Sequence, residues 1–91
     1  MRAVRVVVRG KVQGVGFRWF VREAARRAEL AGWVRNLPDG SVALEAAGTP
    51  EGIAFLLDAI RRGPPRSRVD DVSVADGSDH ADLSRPFAVV R

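Results

Sequence analysis

The residues best suited to chemistry lie in one short segment, 10–18, which reads GKVQGVGFR and follows a run of alternating valines. Gly14 and Gly16 allow the backbone conformations that bring several N–H groups close to one anion. Arg18 follows them with a planar, permanently charged guanidinium whose donors match two phosphate oxygens. After this segment the apolar period changes from two to that of a helix, so the positive end of a helix dipole would stand behind it. The segment therefore predicts a binding site for a small anion.

The glycine spacing taken alone also fits a simple turn, and it differs from both common nucleotide-binding motifs. Gly10 and Lys11 open the segment, but no Gly-Lys-Ser/Thr closes it, and GxGxxG is absent. A chain of 91 residues is also too small for a doubly wound sheet with a nucleotide across it. What fits such a loop is a compact group such as phosphate, sulfate or a carboxylate.

Composition excludes several other kinds of site. The chain has no cysteine, and its single histidine, His80, lies in the polar stretch 76–84, where we expect an exposed loop. A zinc site of the usual kind is therefore not expected. The net charge is +4, yet residues 1–22 hold six basic residues and no acid, so this end of the chain should attract anions. No apolar run approaches the roughly 20 residues that span a bilayer, and the first residues do not form a signal peptide. We expect a cytoplasmic monomer.

The hydrophobic periodicity predicts one domain over residues 1–91, with helices and strands in alternation. Strands are expected at 4–9, 33–37, 42–46, 69–74 and 87–90, and helices at 17–31 and 50–62. Pro38, Asp39 and Gly40 form the turn of a hairpin, and Thr49 followed by Pro50 begins the second helix.

This order indicates a ferredoxin-like βαββαβ sandwich of the α+β class, with an antiparallel sheet and both helices on one face. A short fifth strand at the C-terminus would be its main elaboration. Five aromatic residues are expected in the core: Phe17, Phe20, Trp33, Phe55 and Phe87. Trp19 lies off the apolar stripe, either at the edge of the site or only at the surface.

Two linked motifs resemble the acylphosphatase family. Residues 10–18 match its signature GxVQGVxFR, and residues 32–40 match GWVxNxxDG. The later segment RRGPPRSRVDDVSV and the closing residues 87–90 are also similar to that family, so the resemblance covers nearly the full length.

The resemblance implies a set of site residues. Five of them would cradle the phosphate with backbone N–H groups: Val12, Gln13, Gly14, Val15 and Gly16. Arg18 would bind the phosphate, and Asn36 would orient the attacking water. The implied activity is the hydrolysis of acyl phosphates to a carboxylate and inorganic phosphate, which would also act as an inhibitor.

The chemistry of Asn36 agrees with that role. Its amide oxygen accepts a hydrogen bond from water but is too weak a base to remove the proton. Positioned water suffices only when the bond to be broken is already activated. A carboxylate leaving group, whose conjugate acid has a pKa of about 4, needs no general acid, whereas an alkoxide would normally need an acid or a metal. The residues therefore favour an acyl phosphate, with no metal and no cofactor.

Three positions depart from the family pattern. Glu29 stands where many relatives have a glycine near the end of the first helix, and Ala43 stands where a Glu commonly follows the hairpin turn. Leu37 follows Asn36 where some members have a hydroxyl residue, so polar help from that neighbour is missing. The terminal carboxylate of Arg91 is a candidate partner of Arg18, as in some relatives.

Two other functions share part of the pattern. Ferredoxin-like sheets with basic charge also bind RNA, and GVGFRWFV is similar to an RNA-binding core motif. That motif belongs on a central strand that displays aromatic residues, and 42–46 has none, so no nucleic-acid partner is expected. A regulatory domain that binds an anionic metabolite would share the cradle but would not require Asn36.

Overall fold

The computed structural model describes residues 1–77, 83 and 85–90, and seven elements follow one another along them. They are β1 (Arg2–Lys11), α1 (Phe17–Arg27), β2 (Ala31–Asn36), β3 (Val42–Gly48), α2 (Pro50–Arg62), β4 (Arg68–Asp76) and β5 (Ala88–Val89). Their types and order agree with the sequence prediction. The sequence predicts an exposed loop at His80 and leaves open whether the carboxylate of Arg91 pairs with Arg18. Both residues lie outside the described residues.

The strands form one sheet in the order β4-β1-β3-β2-β5. The pairs β1–β3, β1–β4 and β2–β3 are antiparallel. The fifth strand joins β2 in parallel, with Trp33 opposite Ala88. The predicted ferredoxin-like sandwich is confirmed, and its short fifth strand makes the antiparallel sheet a mixed one.

The core lies between one face of the sheet and the two helices. Val4, Val6 and Val8 are buried and alternate with more exposed residues, as their period of two predicts. The buried helical residues are Phe17, Val21, Ala24 and Ala25 in α1 and Gly52, Ile53, Leu56, Leu57, Ala59 and Ile60 in α2. At the start of α2, Thr49 Oγ1 accepts a hydrogen bond from Gly52 N at 3.0 Å, which satisfies one of the free N–H groups there. Neither of these helices has the length and apolarity needed to cross a bilayer.

The central strand β3 is buried on both faces, including the face turned away from the helices. Ala43 and Ala47 are small, and Glu45 is covered although it is charged. Arg5 on β1 lies opposite Glu45, and its Nη1 is 3.7 Å from the Glu45 Oε1. An ion pair therefore covers part of the outer face of β3. The other outward-facing residues, Ala43 and Ala47, have small side chains and are also buried.

The first helix ends earlier than the sequence predicts, and the assignment of Ala31 to it is wrong. Glu29 has a φ of 58°, in the left-handed region. Its N–H donates to the Arg26 carbonyl at 3.1 Å, and Leu30 N donates to the Ala25 carbonyl at 2.9 Å. These two bonds form a Schellman motif, which ends the helix and turns the chain into β2. Because a glycine usually marks this conformation, the glutamate concealed the helix end.

Two of the five aromatic residues predicted to lie in the core do not point into it. Phe55 is 44% exposed, because it lies off the apolar stripe of α2. Trp33 is half-buried on β2 at the position paired with Glu45, on the outer face of the sheet, with the Arg35 guanidinium 5.6 Å from its ring centre. Phe17 and Phe87 are fully buried, and Phe20 packs against the core while half-buried. The burial of each aromatic side chain depends on which face of its helix or strand is covered, and hydrophobicity alone does not reveal that face.

We expect Glu29→Gly to raise the free energy of unfolding by about 0.5–1 kcal/mol. A residue with a Cβ in the left-handed region costs about 1–2 kcal/mol, which glycine avoids. The larger unfolded-state entropy of glycine offsets about 0.5–1 kcal/mol of this stabilisation. Urea denaturation measures the difference. Glu29→Ala is the matched control, because it removes the carboxylate but keeps the Cβ. Equal stabilisation by both variants would mean that the charge, and not the backbone, is responsible.

Candidate active site

A cleft of about 560 Å³ opens where the β1–α1 loop, the first turns of α1, the end of β2 and β5 meet. It is lined by Val12, Gly14, Gly16, Phe17, Arg18, Trp19, Arg22, Arg26, Asn36, Ala88 and Val89. Two residues singled out from the sequence, Arg18 and Asn36, therefore lie in one cleft although they come from different elements. Three residues of the predicted cradle, Val12, Gly14 and Gly16, line the same cleft.

The loop between β1 and α1 turns through two left-handed glycines. Gly14 has a φ of 74° and Gly16 a φ of 79°. A Cβ at either position would meet no atom within 4 Å, so the requirement for glycine comes from the backbone conformation and not from crowding. Gly16 caps α1 without a side-chain hydrogen bond, and the first turn of α1 contains no acidic residue. The positive end of the helix therefore faces the cleft without an acid in that turn.

The cleft carries three arginines from one face of α1. Arg22 pairs with Glu23, with 2.9 Å between Nη1 and Oε2, and Arg26 Nε donates to the Phe87 carbonyl at 3.0 Å. Arg18, the second residue of α1, is half-buried and has no ion-pair partner among the described residues. Within the same residues no group of three or more His, Asp or Glu side chains comes together. Arg18 is thus the cleft guanidinium for which the described residues provide neither an ion-pair nor a hydrogen-bond partner.

Asn36 is the last residue of β2 and lies opposite Val42 of β3. The residue is half-buried, and its side-chain Oδ1 is buried without a hydrogen-bond donor in the described part of the chain. An amide oxygen in that state can accept a hydrogen bond from a water molecule or a substrate. The asparagine therefore lies at the cleft with an amide oxygen that is available to accept a hydrogen bond.

The turn after Asn36 is held by several hydrogen bonds. Leu37 N donates to the Ser41 carbonyl at 2.8 Å, and Gly40 N donates to the Leu37 carbonyl at 3.2 Å. The Asp39 carboxylate accepts from both the hydroxyl and the backbone N–H of Ser41. These two bonds, the hydroxyl first, hold the pKa of Asp39 below its ordinary value. The predicted tight turn is thus closed at its base by hydrogen bonds, which fix the end of β2. We call residues 37–41 the hairpin neck.

Two predicted cradle residues direct their side chains away from the cleft. Val15 is half-buried and packs against the core. Gln13 is half-buried as well, and its Nε2 donates at 2.8 Å to the carbonyls of both Leu37 and Ser41. Neither side chain lines the cleft, so only their backbone could face a bound anion. The direction of the Gln13 side chain is a feature that the sequence did not reveal.

Comparison with known proteins assigns the family. The acylphosphatase family model matches residues 4–89. The chain belongs to the acylphosphatase family. The acylphosphatase of Salinibacter ruber is 48% identical to it over 90 residues, which cover 99% of this chain and 94% of that protein. The crystal structure of acylphosphatase from Bacillus subtilis has a TM-score of 0.93 to it, at 40% identity and with all of both chains covered. An acylphosphatase structure from Coxiella burnetii has a TM-score of 0.85 at 38% identity, and the match covers 98% of this chain and 92% of that one. Since these relatives match along nearly their whole lengths, the chain is an enzyme of this family.

Five further residues of the acylphosphatase cleft were not predicted from the sequence to line it. They are Phe17, Arg22 and Arg26 on α1 and Ala88 and Val89 on β5. Arg22 and Arg26 follow Arg18 at intervals of four, which places them on the same helix face, and this signal was available in the sequence. Trp19 lies at the edge of the cleft, 62% exposed, in agreement with one of its two predicted positions. The sequence around β5 contains no local signal that predicts its position beside β2 at the cleft.

We expect Ser41→Ala to raise the pKa of Asp39 towards its ordinary value of 3.8, because the variant removes the hydroxyl donor that lowers it most. In the wild type the stabilising contribution of ionised Asp39 is complete above the unfolded-state pKa. It is lost as the pH falls through the lower folded-state pKa. NMR titration of the carboxyl carbon measures the shift. Ser73→Ala removes a similar hydroxyl contact, to Asp71 on β4, and should leave Asp39 unchanged. An unaltered Asp39 pKa in Ser41→Ala would contradict the assignment.

Proposed function

We propose that this acylphosphatase family member hydrolyses acyl phosphates to a carboxylate and inorganic phosphate, with the N–H groups of residues 12–16 and Arg18 binding the phosphate and Asn36 positioning the water. One observation supports the proposal: the Arg18 guanidinium, which suits an anion, and the Asn36 amide, which suits water, line the same cleft. Arg18 has no ion-pair partner there, and the buried Asn36 Oδ1 has no donor, among the residues that the structure describes.

Phosphate binding by the loop and Arg18 supplies the charge stabilisation. The left-handed glycines let backbone N–H groups converge, and the start of α1 adds its dipole. The Arg18 guanidinium can donate to two phosphate oxygens at once. Phosphoryl transfer spreads negative charge over the equatorial oxygens, so fixed donors around them lower the barrier without moving during the reaction. Inorganic phosphate, as the product, should occupy the same cradle and inhibit.

Asn36 supplies orientation and not proton removal. Its Oδ1 accepts one hydrogen of the water and thereby fixes the direction of the oxygen lone pair. In-line attack requires the water, the phosphorus and the leaving oxygen to be aligned, and alignment of this kind is a large part of enzymatic rate enhancement. The departing carboxylate takes the electron pair of the broken P–O bond and is stable without a proton, since its conjugate acid has a pKa of about 4. Both protons of the attacking water stay on the phosphate product. The reaction therefore requires neither a general acid nor a metal.

The remainder of the cleft accommodates the acyl group. A phosphate fills only part of about 560 Å³, and ligand clefts of roughly 300–1,000 Å³ hold molecules much larger than phosphate. Trp19, Ala88 and Val89 provide apolar surface beyond the cradle, and Trp19 and Val89 are themselves exposed. This surface favours substrates with an apolar or aromatic acyl group, such as benzoyl phosphate, over acetyl phosphate.

We expect two substitutions to separate binding from water positioning. Arg18→Ala should lower kcat by about 100-fold or more and weaken inhibition by phosphate, because it removes charged donors from both ground and transition states. Asn36→Ala should lower kcat by a similar factor while the inhibition constant of phosphate changes by less than about 2-fold. Steady-state hydrolysis of benzoyl phosphate, with and without EDTA, measures both.

Arg27→Ala is the control for the loss of an arginine from α1, because Arg27 is exposed and does not line the cleft. Its kinetics should match the wild type. Full activity of Asn36→Ala would refute the water-positioning role. Loss of turnover in EDTA that returns with added metal would refute the metal-free mechanism. Absence of wild-type turnover of any acyl phosphate would refute the proposed reaction itself.

A further inference from the structure

Gln13 belongs to the cradle by its backbone, but its side chain leaves the cleft and contacts another element. Its Nε2 lies 2.8 Å from the Leu37 carbonyl oxygen and 2.8 Å from the Ser41 carbonyl oxygen. Both partners are acceptors, so the amide must present its NH₂ group, and each of the two hydrogens makes one bond. The side chain is therefore fixed in one orientation by two bonds to a segment 24 and 28 residues further along the chain.

The two carbonyls belong to opposite arms of the hairpin neck that follows Asn36. Leu37 is the next residue after Asn36, and Ser41 immediately precedes Val42, the residue paired with Asn36. Leu37 N also donates to the Ser41 carbonyl, so Gln13 binds a neck that is already closed. The amide of Gln13 therefore binds the residue that directly follows Asn36, the proposed water-positioning residue.

The two halves of the site, the cradle and Asn36, are attached to strands that are not neighbours in the sheet. The cradle follows β1 and Asn36 ends β2, and β3 lies between these strands in the sheet. With neighbouring strands about 4.8 Å apart, β1 and β2 are separated by roughly 10 Å. The Gln13 side chain connects the two halves through its hydrogen bonds to Leu37 and Ser41, which lie between the end of β2 and the start of β3. A misplacement of 1 Å between reacting groups can cost about 100-fold in rate, so this connection bears on catalysis.

We propose that Gln13 is a positioning residue that fixes Asn36 relative to the phosphate cradle through its two hydrogen bonds to the hairpin neck. The inference rests on the proposed function, because it requires that Asn36 orients the water. Gln13 does not itself touch the substrate through its side chain. Its contribution to the rate is made entirely through Asn36.

Gln13→Met tests this role, because methionine has a similar length and shape but no donor. We expect kcat for benzoyl phosphate to fall by about 10- to 100-fold, while the inhibition constant of inorganic phosphate changes by less than about 2-fold. Thr49→Ala is the stability control: it removes the cap of α2, remote from the cleft, and should leave both kinetic constants unchanged. Circular dichroism and urea denaturation verify that each variant is folded. Gln13→Leu, which also lacks the donors and adds no charge, takes the place of Gln13→Met should the latter not fold.

A double-mutant cycle with Asn36→Ala decides between positioning and a general structural effect. If Gln13 acts only through Asn36, Gln13→Met should change kcat by less than about 2-fold in the Asn36→Ala background. The same loss in both backgrounds would overturn the proposal, as would a loss of phosphate affinity in parallel with kcat. If Asn36→Ala lowers turnover but Gln13→Met does not, only the role of Gln13 fails. If Asn36→Ala has no effect, the proposed function of Asn36 fails, and the inference fails with it.

Discussion

Between β1 and α1 the chain turns through two left-handed glycines and enters a helix whose first turn has neither a side-chain cap nor an acid. These features are costly for a helix start in isolation, because free N–H groups there are normally satisfied by a capping side chain. At the start of α2 the same need is met by Thr49 and by Glu51 in the first turn. The contrast between the two helix starts supports the proposed phosphate-binding role of the N–H groups at the start of α1. The positions of Arg18 and of the cleft follow from this turn.

The rest of the fold brings acceptor and apolar groups to that turn. The end of β2 supplies Asn36 to the cleft, and β5 supplies the apolar side chains of Ala88 and Val89. Gly32 permits this arrangement, because a Cβ there would overlap the Glu45 carbonyl oxygen and the ring of Phe87. Phe87 is fully buried, and its carbonyl accepts from Arg26 on α1. A glycine near the start of β2 thus leaves room for the Phe87 ring that precedes β5, and Arg26 connects this segment to α1.

The sequence was sufficient for the elements whose signals are local. The alternating valines of β1, the cap of α2 and the turn at Pro38 to Gly40 each lie where the residues predict them. It was insufficient where distant parts of the chain decide the outcome. Glu29 ends α1 in a conformation usually marked by glycine, and Phe55 lies outside the core because α2 is covered on one side only. In the site, the grouping of Arg18 with Asn36 was predictable from two linked motifs. The direction of the Gln13 side chain was not, since it depends on where the hairpin neck lies relative to the loop.

The charge distribution explains why an amide, and not an acid, suits position 36. The described lining of the cleft carries three arginines and no carboxylate. A carboxylate at that position would accept a hydrogen bond from water more strongly, but it would also attract the Arg18 guanidinium and repel a phosphate. The neutral amide oxygen does neither, which agrees with the proposed roles of Arg18 in binding the anion and of Asn36 in binding water. Glu23, the carboxylate that pairs with Arg22, does not line the cleft.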